Sequence, residues 1–343
     1  MSESLPVGKL PAAQLDAMLR RLPRRDPRVV LGPRLGEDAA VLDLDDRYLV
    51  AASDPVTFAS DRIGWYAVHV NANDVAVLGA TPRWFLAVVL LPEGTSTAEL
   101  AAGIMADVAS TCDALDVTVC GGHTEITAGL DRPIVIGQML GEVSPARLVR
   151  KDRVQVGDQV ILTHGAAIEG TALLAREKRA ALASSLTPDL LSRAEAFLDT
   201  PGLSIVSAAR VASGAGDIHA MHDPTEGGIQ TALTELAAAS GHGLEVWIDR
   251  IPVLAETRAV CDHFKLEPLK LLASGALLIA TPPATTEAVT AALSANNIPA
   301  SVVAEARPAS FGVMARKDGQ LHPLAPAERD EISRLFEADG QGP

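Results

Sequence analysis

Aromatic residues are scarce: phenylalanine, tryptophan and tyrosine together make up 3% of the 343 residues. Alanine, valine, leucine and isoleucine must therefore fill the core. Cysteine is nearly absent; Cys112, Cys120 and Cys261 are unevenly spaced and form no CxxC pair. That arrangement argues against a disulfide framework and a structural zinc site. Positive charge is short as well, with 29 Lys and Arg against 43 Asp and Glu and a formal charge of −14. A nucleic-acid surface needs clustered cations, which such a balance does not supply. No apolar run approaches the ~20 residues that a membrane span requires. The opening MSESLPVGKLP has no apolar segment of the secretory kind. The expected compartment is the cytoplasm. What remains is ordinary globular composition, 48% hydrophobic and 21% charged, in a chain long enough for two domains of ~150 residues each.

The hydrophobic pattern alternates between periods. Leu15, Met18, Leu19 and Leu22 share one helical face. Residues 39–44 and 48–53 read as strands around an acidic turn, 63–78 as a helix, and the near-continuous apolar run 84–91 as a strand that needs cover on both faces. Helix 97–115, strand 117–121 and strand 133–143 follow. After Val156-Gly157-Asp158 the alternation restarts: strand 159–163, helices 168–183, 188–198 and 227–240, and strands 244–248, 276–280 and 301–304. The fold expected is α+β, built from two α/β halves at 1–154 and 155–343, with a charged surface helix after Leu324.

The conspicuous chemistry is acid beside glycine at the ends of elements. Gly36-Glu37-Asp38 precedes a strand, Ser53-Asp54-Pro55 follows one, and Asn71-Ala72-Asn73-Asp74 lies in a helix among valines. Capping explains any one of these acids. Buried carboxylates are costly unless paired or bound to a cation, so Asp38, Asp54 and Asp74 taken together point to a hard oxygen site for Mg²⁺. Cys120-Gly121-Gly122-His123-Thr124-Glu125 follows a strand. Its glycines allow either a phosphate-binding nest or a tight turn. His123 is open to three readings: phosphate partner, metal ligand or neither. Met221-His222-Asp223-Pro224-Thr225-Glu226-Gly227-Gly228 opens a helix whose free N–H groups attract anions. Asp223 and Glu226 repel a bare phosphate there unless a cation bridges them; a capped helix is the plainer reading. His164-Gly165-Ala166-Ala167-Ile168-Glu169 is a further strand–loop–helix passage.

Six segments in order, GEDAAVL at 36–42, SDP at 53–55, NDVAVLGATP at 73–82, GGHTE at 121–125, DPTEGG at 223–228 and SGALLIA at 274–280, resemble the superfamily of aminoimidazole ribonucleotide synthetase, thiamine-monophosphate kinase, selenophosphate synthetase and the hydrogenase maturation factor that is a carbamoyl dehydratase. The last branch is the nearest in pattern. The resemblance implies an ATP- and Mg²⁺-dependent enzyme that activates or phosphorylates an oxygen of a small molecule. It implies a homodimer whose N-terminal halves join into a β-barrel, with an α+β C-terminal half on each. Asp38, Asp54 and Asp74 would hold Mg²⁺. Gly121, Gly122, Thr124, Asn73, Thr225 and Gly227 would contact the nucleotide, and Asp223, Glu226 and His123 would stand nearest the reaction. The partners implied are a nucleotide and a small-molecule or protein substrate, with neither nucleic acid nor membrane. His123 stands where many relatives carry an acid and Glu226 where the hydrogenase factor carries arginine. That factor ends in a reactive cysteine, whereas the last cysteine here is Cys261. The alternatives are a hydrogenase-maturation-like factor, a nucleotide-binding scaffold without turnover, and a thiamine-monophosphate kinase. All three cysteines are expected to be inert, Cys112 and Cys120 through burial.

Overall fold

The computed structural model describes residues 10, 12–23, 25–57, 59 and 61–338; Asp339–Pro343 lie outside them. After α1 (Ala12–Leu19), six strands form one sheet: β1 (Val29–Leu31), β2 (Ala40–Asp43), β3 (Tyr48–Val56), β4 (Thr81–Pro92), β5 (Thr118–Thr127) and β6 (Ile134–Val143). Their spatial order is β1-β2-β3-β6-β4-β5. Neighbours are antiparallel except β4 and β5, which run parallel. α2 (Ile63–Ala76) lies on one face and α3 (Ala98–Ala114) packs on α2. Thr97 caps α3 by accepting from the Leu100 N–H. The alternation along β4 sends Phe85, Ala87, Val89 and Leu91 into this core.

A second sheet holds β7 (Gln159–Thr163), β8 (Ala220–His222), β9 (Gly243–Trp247), β10 (Leu278–Thr281), β11 (Ala300–Arg307), β12 (Val313–Lys317) and β13 (Gln320–Pro323), in the order β13-β12-β9-β11-β7-β10-β8. Its helices are α4 (Ile168–Glu177), α5 (Arg179–Leu182), α6 (Pro188–Glu195), α7 (Val206–Ala215), α8 (Gly228–Ser240), α9 (Ala255–Phe264), α10 (Pro283–Ala295) and α11 (Ser333–Ala338). Val160 and Leu162 pack with Ile229, Leu233 and Leu236 of α8. Ile161 points the other way, against α7 and α10. Burial on both faces is why β7 reads as an unbroken apolar run.

The architecture is α+β with two sheets, as the alternation implies. The first sheet is open: β1 and β5 are its edges and do not pair with each other. Two expectations change. The helix expected over 168–183 breaks at Lys178, whose φ of −111° and ψ of 25° separate α4 from α5. The strand expected to stop at Gly121 runs on to Thr127. Phe85 pairs with Val119 and Leu86 with Gly121, so Cys120 is the extra residue of a bulge and the strand continues beyond it. The Gly121-Gly122 pair therefore belongs to a strand rather than to a loop. Gly122 has φ of +153°, and a Cβ there would lie 2.0 Å from the Ala87 carbonyl oxygen; only glycine fits.

Candidate functional site

Four acids converge from separate elements. Asp38 stands in the turn before β2, Asp54 in β3, Asp74 near the end of α2 and Asp223 just after β8. Asn71, one turn of α2 ahead of Asp74, fixes β3 to the helix. It accepts from the Asp54 N–H at 2.8 Å and donates to the Asp54 carbonyl at 3.2 Å. Asn73 ties the same helix to the second half, donating to Leu203 O at 2.9 Å and accepting from Ile205 N at 3.0 Å. Its carboxamide is thus held by backbone and not turned to the acids.

Asp74 is 5% exposed, and its Oδ2 has no hydrogen-bond partner. Burial, then the charges of Asp223, Asp54 and Asp38, push its carboxyl far above the ordinary range. Asp223 is pushed up to about 7, by burial first and the Asp38 charge second. Asp38 differs. Burial would raise it, but the Lys151 ammonium and His222 hold it well below the usual carboxylate value. Lys151, 3% exposed, donates to Gly36 O at 2.7 Å and to Asp38 Oδ2 at 2.8 Å, and it approaches His222 Nδ1 at 3.2 Å. His222 Nε2 meets Glu235 Oε2 at 3.0 Å. Burial and the Lys151 charge lower the imidazole's pKa, the Asp38 and Glu235 carboxylates raise it, and the net shift is upward. Asp38, His222 and Asp223 place one ligand atom each within 4.8 Å of one another.

A second group of acids lies beyond Asp223. Glu169 at the start of α4 is pushed up to about 7 by burial, against the pull of its hydrogen bond to Ser274 and with the push of Glu226 and Asp330. Asp330 accepts from Gly227 N at 2.7 Å and from Ile332 N at 2.9 Å, while burial lifts it to about 6. Thr225 and Gly227 sit at this head of α8, and Ala273 N donates to the Thr225 carbonyl.

The glycine-rich segment is elsewhere. Gly121, Gly122, His123 and Thr124 line an open groove of about 430 Å³ with Ala87, Met105, Val119 and Cys120, on the free edge of the sheet. His123 is exposed and faces Glu125 at 3.3 Å. Asp54 registers with Gly137, Gly137 with Ala87, and Ala87 with Gly122. Three strand spacings, ~14 Å, therefore separate Gly122 from Asp54 within one chain. Of the cysteines, burial lifts Cys112 and Cys261 to about 12. Cys120, expected to be buried, is exposed, because it bulges from an uncovered edge.

Sequence reasoning missed Lys151, Glu235 and Glu169, and gave His222 no role. Lys151 lies in the run Arg150-Lys151-Asp152-Arg153, which reads as surface charge. The signal for Glu169 was its place in a strand–loop–helix passage.

Residues 36–143 match the family described as AIR synthase related protein, N-terminal domain, and residues 155–315 match AIR synthase related protein, C-terminal domain. Carbamoyl dehydratase HypE of Rhodobacter capsulatus is 32% identical over 252 residues, 73% of this chain and 70% of the relative. The crystal structure of hydrogenase maturation protein HypE in complex with ATP is similar at a TM-score of 0.69 and 23% identity, covering 92% of this chain and 90% of that one. AaThiL complexed with AMPPCP and TMP gives 0.69 at 18% identity, with 87% and 91% covered. At 23% and 18% identity these two structures show the fold that this chain shares.

Proposed function

The chain belongs to the AIR synthase related family, and from that premise we propose that it binds ATP with Mg²⁺ and uses it to activate or phosphorylate an oxygen of a small molecule. The observation that carries the reading is Asp74: a carboxylate buried to 5% exposure, one oxygen unpartnered, facing three further acids. Two of the four, Asp74 and Asp223, are buried, and neighbouring buried carboxylates are stable in ionised form only beside a cation. The fit to Mg²⁺ is good in donor chemistry, since Asp38, Asp54, Asp74 and Asp223 offer hard oxygens. Bound there, the ion would neutralise charge on transferring phosphate. The HypE structure with ATP supports the choice of nucleotide.

The chain's own residues divide the work. Asp223 and its neighbours hold the cation, with residues 1–154 as the nucleotide-binding and dimerisation domain. Thr225 and Gly227 present the head of α8. Glu226 lies near enough for its charge to act on Glu169, and both belong to the acceptor side in this reading. A Glu169 carboxyl near neutrality can take the proton that an acceptor hydroxyl loses when it receives a phosphoryl group. A carbamoyl-dehydratase reaction is the second reading, favoured by the identity to the Rhodobacter relative. Calorimetry should show ATP binding that requires Mg²⁺ and disappears with EDTA, and ADP should be released when the acceptor is supplied. Equal affinity with and without EDTA would sink the shared-cation reading.

The homodimer belongs to this proposal. On the face of the first sheet turned away from α2, Trp84, Leu86, Val88 and Leu90 of β4 and Ile136 and Leu140 of β6 are only half-buried. Nothing among the described residues covers them fully. On β5, Val119 and Ile126 are 37% and 57% exposed at the free edge. A second copy would cover this surface, close the sheet into a barrel, and bring a partner's glycine-rich strand toward the acids that its own chain leaves ~14 Å away. Light scattering should give about twice 35.7 kDa. Val88→Asp should shift the particle to the monomer mass. A wild-type monomer at micromolar concentration would refute the arrangement.

A further inference from the structure

The acid cluster contains one donor that a plain Mg²⁺ site does not call for. His222 is 4% exposed and stands between Lys151 and Glu235. The Lys151 ammonium has only protons to offer, so at 3.2 Å it leaves Nδ1 the acceptor role. Nδ1 is 3.7 Å from Asp38 Oδ2, too far to donate to it. Nε2–H then donates to Glu235. This is how a metal-binding histidine is commonly held, with the far nitrogen donating to a carboxylate and the near lone pair aimed inward. The ammonium that meets this lone pair also meets Asp38 and the Gly36 carbonyl. It occupies the place of a cation among cation ligands.

We propose that His222, Asp38 and Asp223 form a mixed nitrogen–oxygen site that takes Mn²⁺ in preference to Mg²⁺, with Lys151 as the resident cation that the ion displaces. The proposal rests on the metal–nucleotide reading above and refines which ion that site selects. Two independent observations carry it. The three ligand atoms lie within 4.8 Å of one another, and donors at 2.0–2.2 Å from one ion are never more than about 4.4 Å apart, so a shift of tenths of an ångström closes the set. Separately, Asp74 Oδ2 is buried and unpartnered beside Asp223 and Asp38. It is a fourth oxygen waiting for a positive charge. An imidazole nitrogen favours first-row transition ions over Mg²⁺, which prefers oxygen and water. The displaced ammonium remains protonated and is free to turn toward a nucleotide phosphate.

The test is a titration of the full chain with Mn²⁺, without nucleotide, followed by the free-ion electron paramagnetic resonance signal, with Mg²⁺ as competitor. Pulsed resonance on the bound ion then reports directly bonded nitrogen. Mn²⁺ should bind at least about tenfold more tightly than Mg²⁺. The bound ion should show a ¹⁴N coupling that changes to ¹⁵N when histidine is isotopically labelled. His222→Asn should abolish the coupling and weaken Mn²⁺ about tenfold while changing Mg²⁺ less. Lys151→Met should tighten Mn²⁺ binding by removing the competing charge. Labelling needs no substitution, so the proposal stays testable if a variant fails to fold. Equal affinity for the two ions, or bound Mn²⁺ without histidine nitrogen, would overturn it while leaving Mg²⁺-dependent ATP binding intact. Failure of every ion and of ATP to bind would overturn both readings.

Discussion

Asp74→Asn should raise the melting temperature of the metal-free protein by a few degrees and weaken Mg²⁺–ATP binding at least tenfold. The two effects have one cause. In the folded chain the Asp74 carboxyl keeps its proton far above its ordinary value of 3.8, through burial and then the charges of Asp223, Asp54 and Asp38. In the unfolded chain at neutral pH it is ionised. Folding without a cation must therefore either protonate it or tolerate a buried charge, at a penalty on the order of 1–3 kcal/mol. Asparagine keeps the shape and removes the charge, and its amide N–H can donate to a neighbouring carboxylate. At ~2.1 cal/mol/K of unfolding entropy per residue, each kcal/mol moves the transition of this 343-residue chain by about 1–2 °C. The same change deletes a charge that would hold the ion. The gain in stability should be larger at pH 8 than at pH 5, because the unfolded state gives up its proton while the folded one retains it. Calorimetry of the variant with and without Mg²⁺–ATP checks both halves. A lower melting temperature, or unchanged nucleotide affinity, would show that Asp74 is only a packing residue.

Part of the fold was legible because some strands, β7 and β10 among them, are buried on both faces. The apolar run at β7 left no other reading, and α2, α3 and β6 fell within a few residues of their expected ends. α7 and α10 were not read. Their inward residues are largely alanines with a valine or leucine, such as Ala208, Ala212, Val289 and Leu293. A small-residue face gives little periodic contrast. The β5 error has a different cause. Gly-Gly signals a turn from local chemistry, yet the bulge at Cys120 and the close Ala87 carbonyl, both tertiary facts, keep the strand going. For the site, the acids were legible because charge in apolar surroundings is visible in one dimension. Lys151 was not. It is 115 residues from Gly36 and 71 from His222 along the chain, and only folding turns an apparent surface charge into the counter-ion of a buried cluster.

That cluster also sets how stability depends on pH. Without metal or nucleotide, the protein should lose a few kcal/mol as pH rises from 5 to 8, and Mg²⁺–ATP should flatten the slope. Asp223, ordinarily near 3.8, titrates at about 7; Glu169, ordinarily near 4.5, at about 7; and Asp330, ordinarily near 3.8, at about 6. Burial is the leading cause in each. Between the two values the folded chain holds a proton that the unfolded chain has released, so raising pH through that window favours unfolding. His222, raised above 6.5, acts in the same direction at the upper end. His69 opposes them. Burial lowers it to about 4, so the unfolded chain binds the extra proton up to 6.5 and stability rises with pH there. Asp38, held below 3.8, contributes only in stronger acid. The raised carboxyls outweigh the two lowered imidazoles, His69 and the half-buried His164, since each tenfold change in proton affinity is worth about 1.4 kcal/mol. A cation on Asp223 and Asp74 removes the reason for their protonation, which is why ligand should level the curve, whereas Glu169 and Asp330, away from the ion, should leave a residual slope. Urea midpoints at pH 5, 6, 7 and 8, with and without Mg²⁺–ATP, measure this directly. A metal-free curve that climbs across the range, or two parallel curves, would mean that no ion relieves the buried acids.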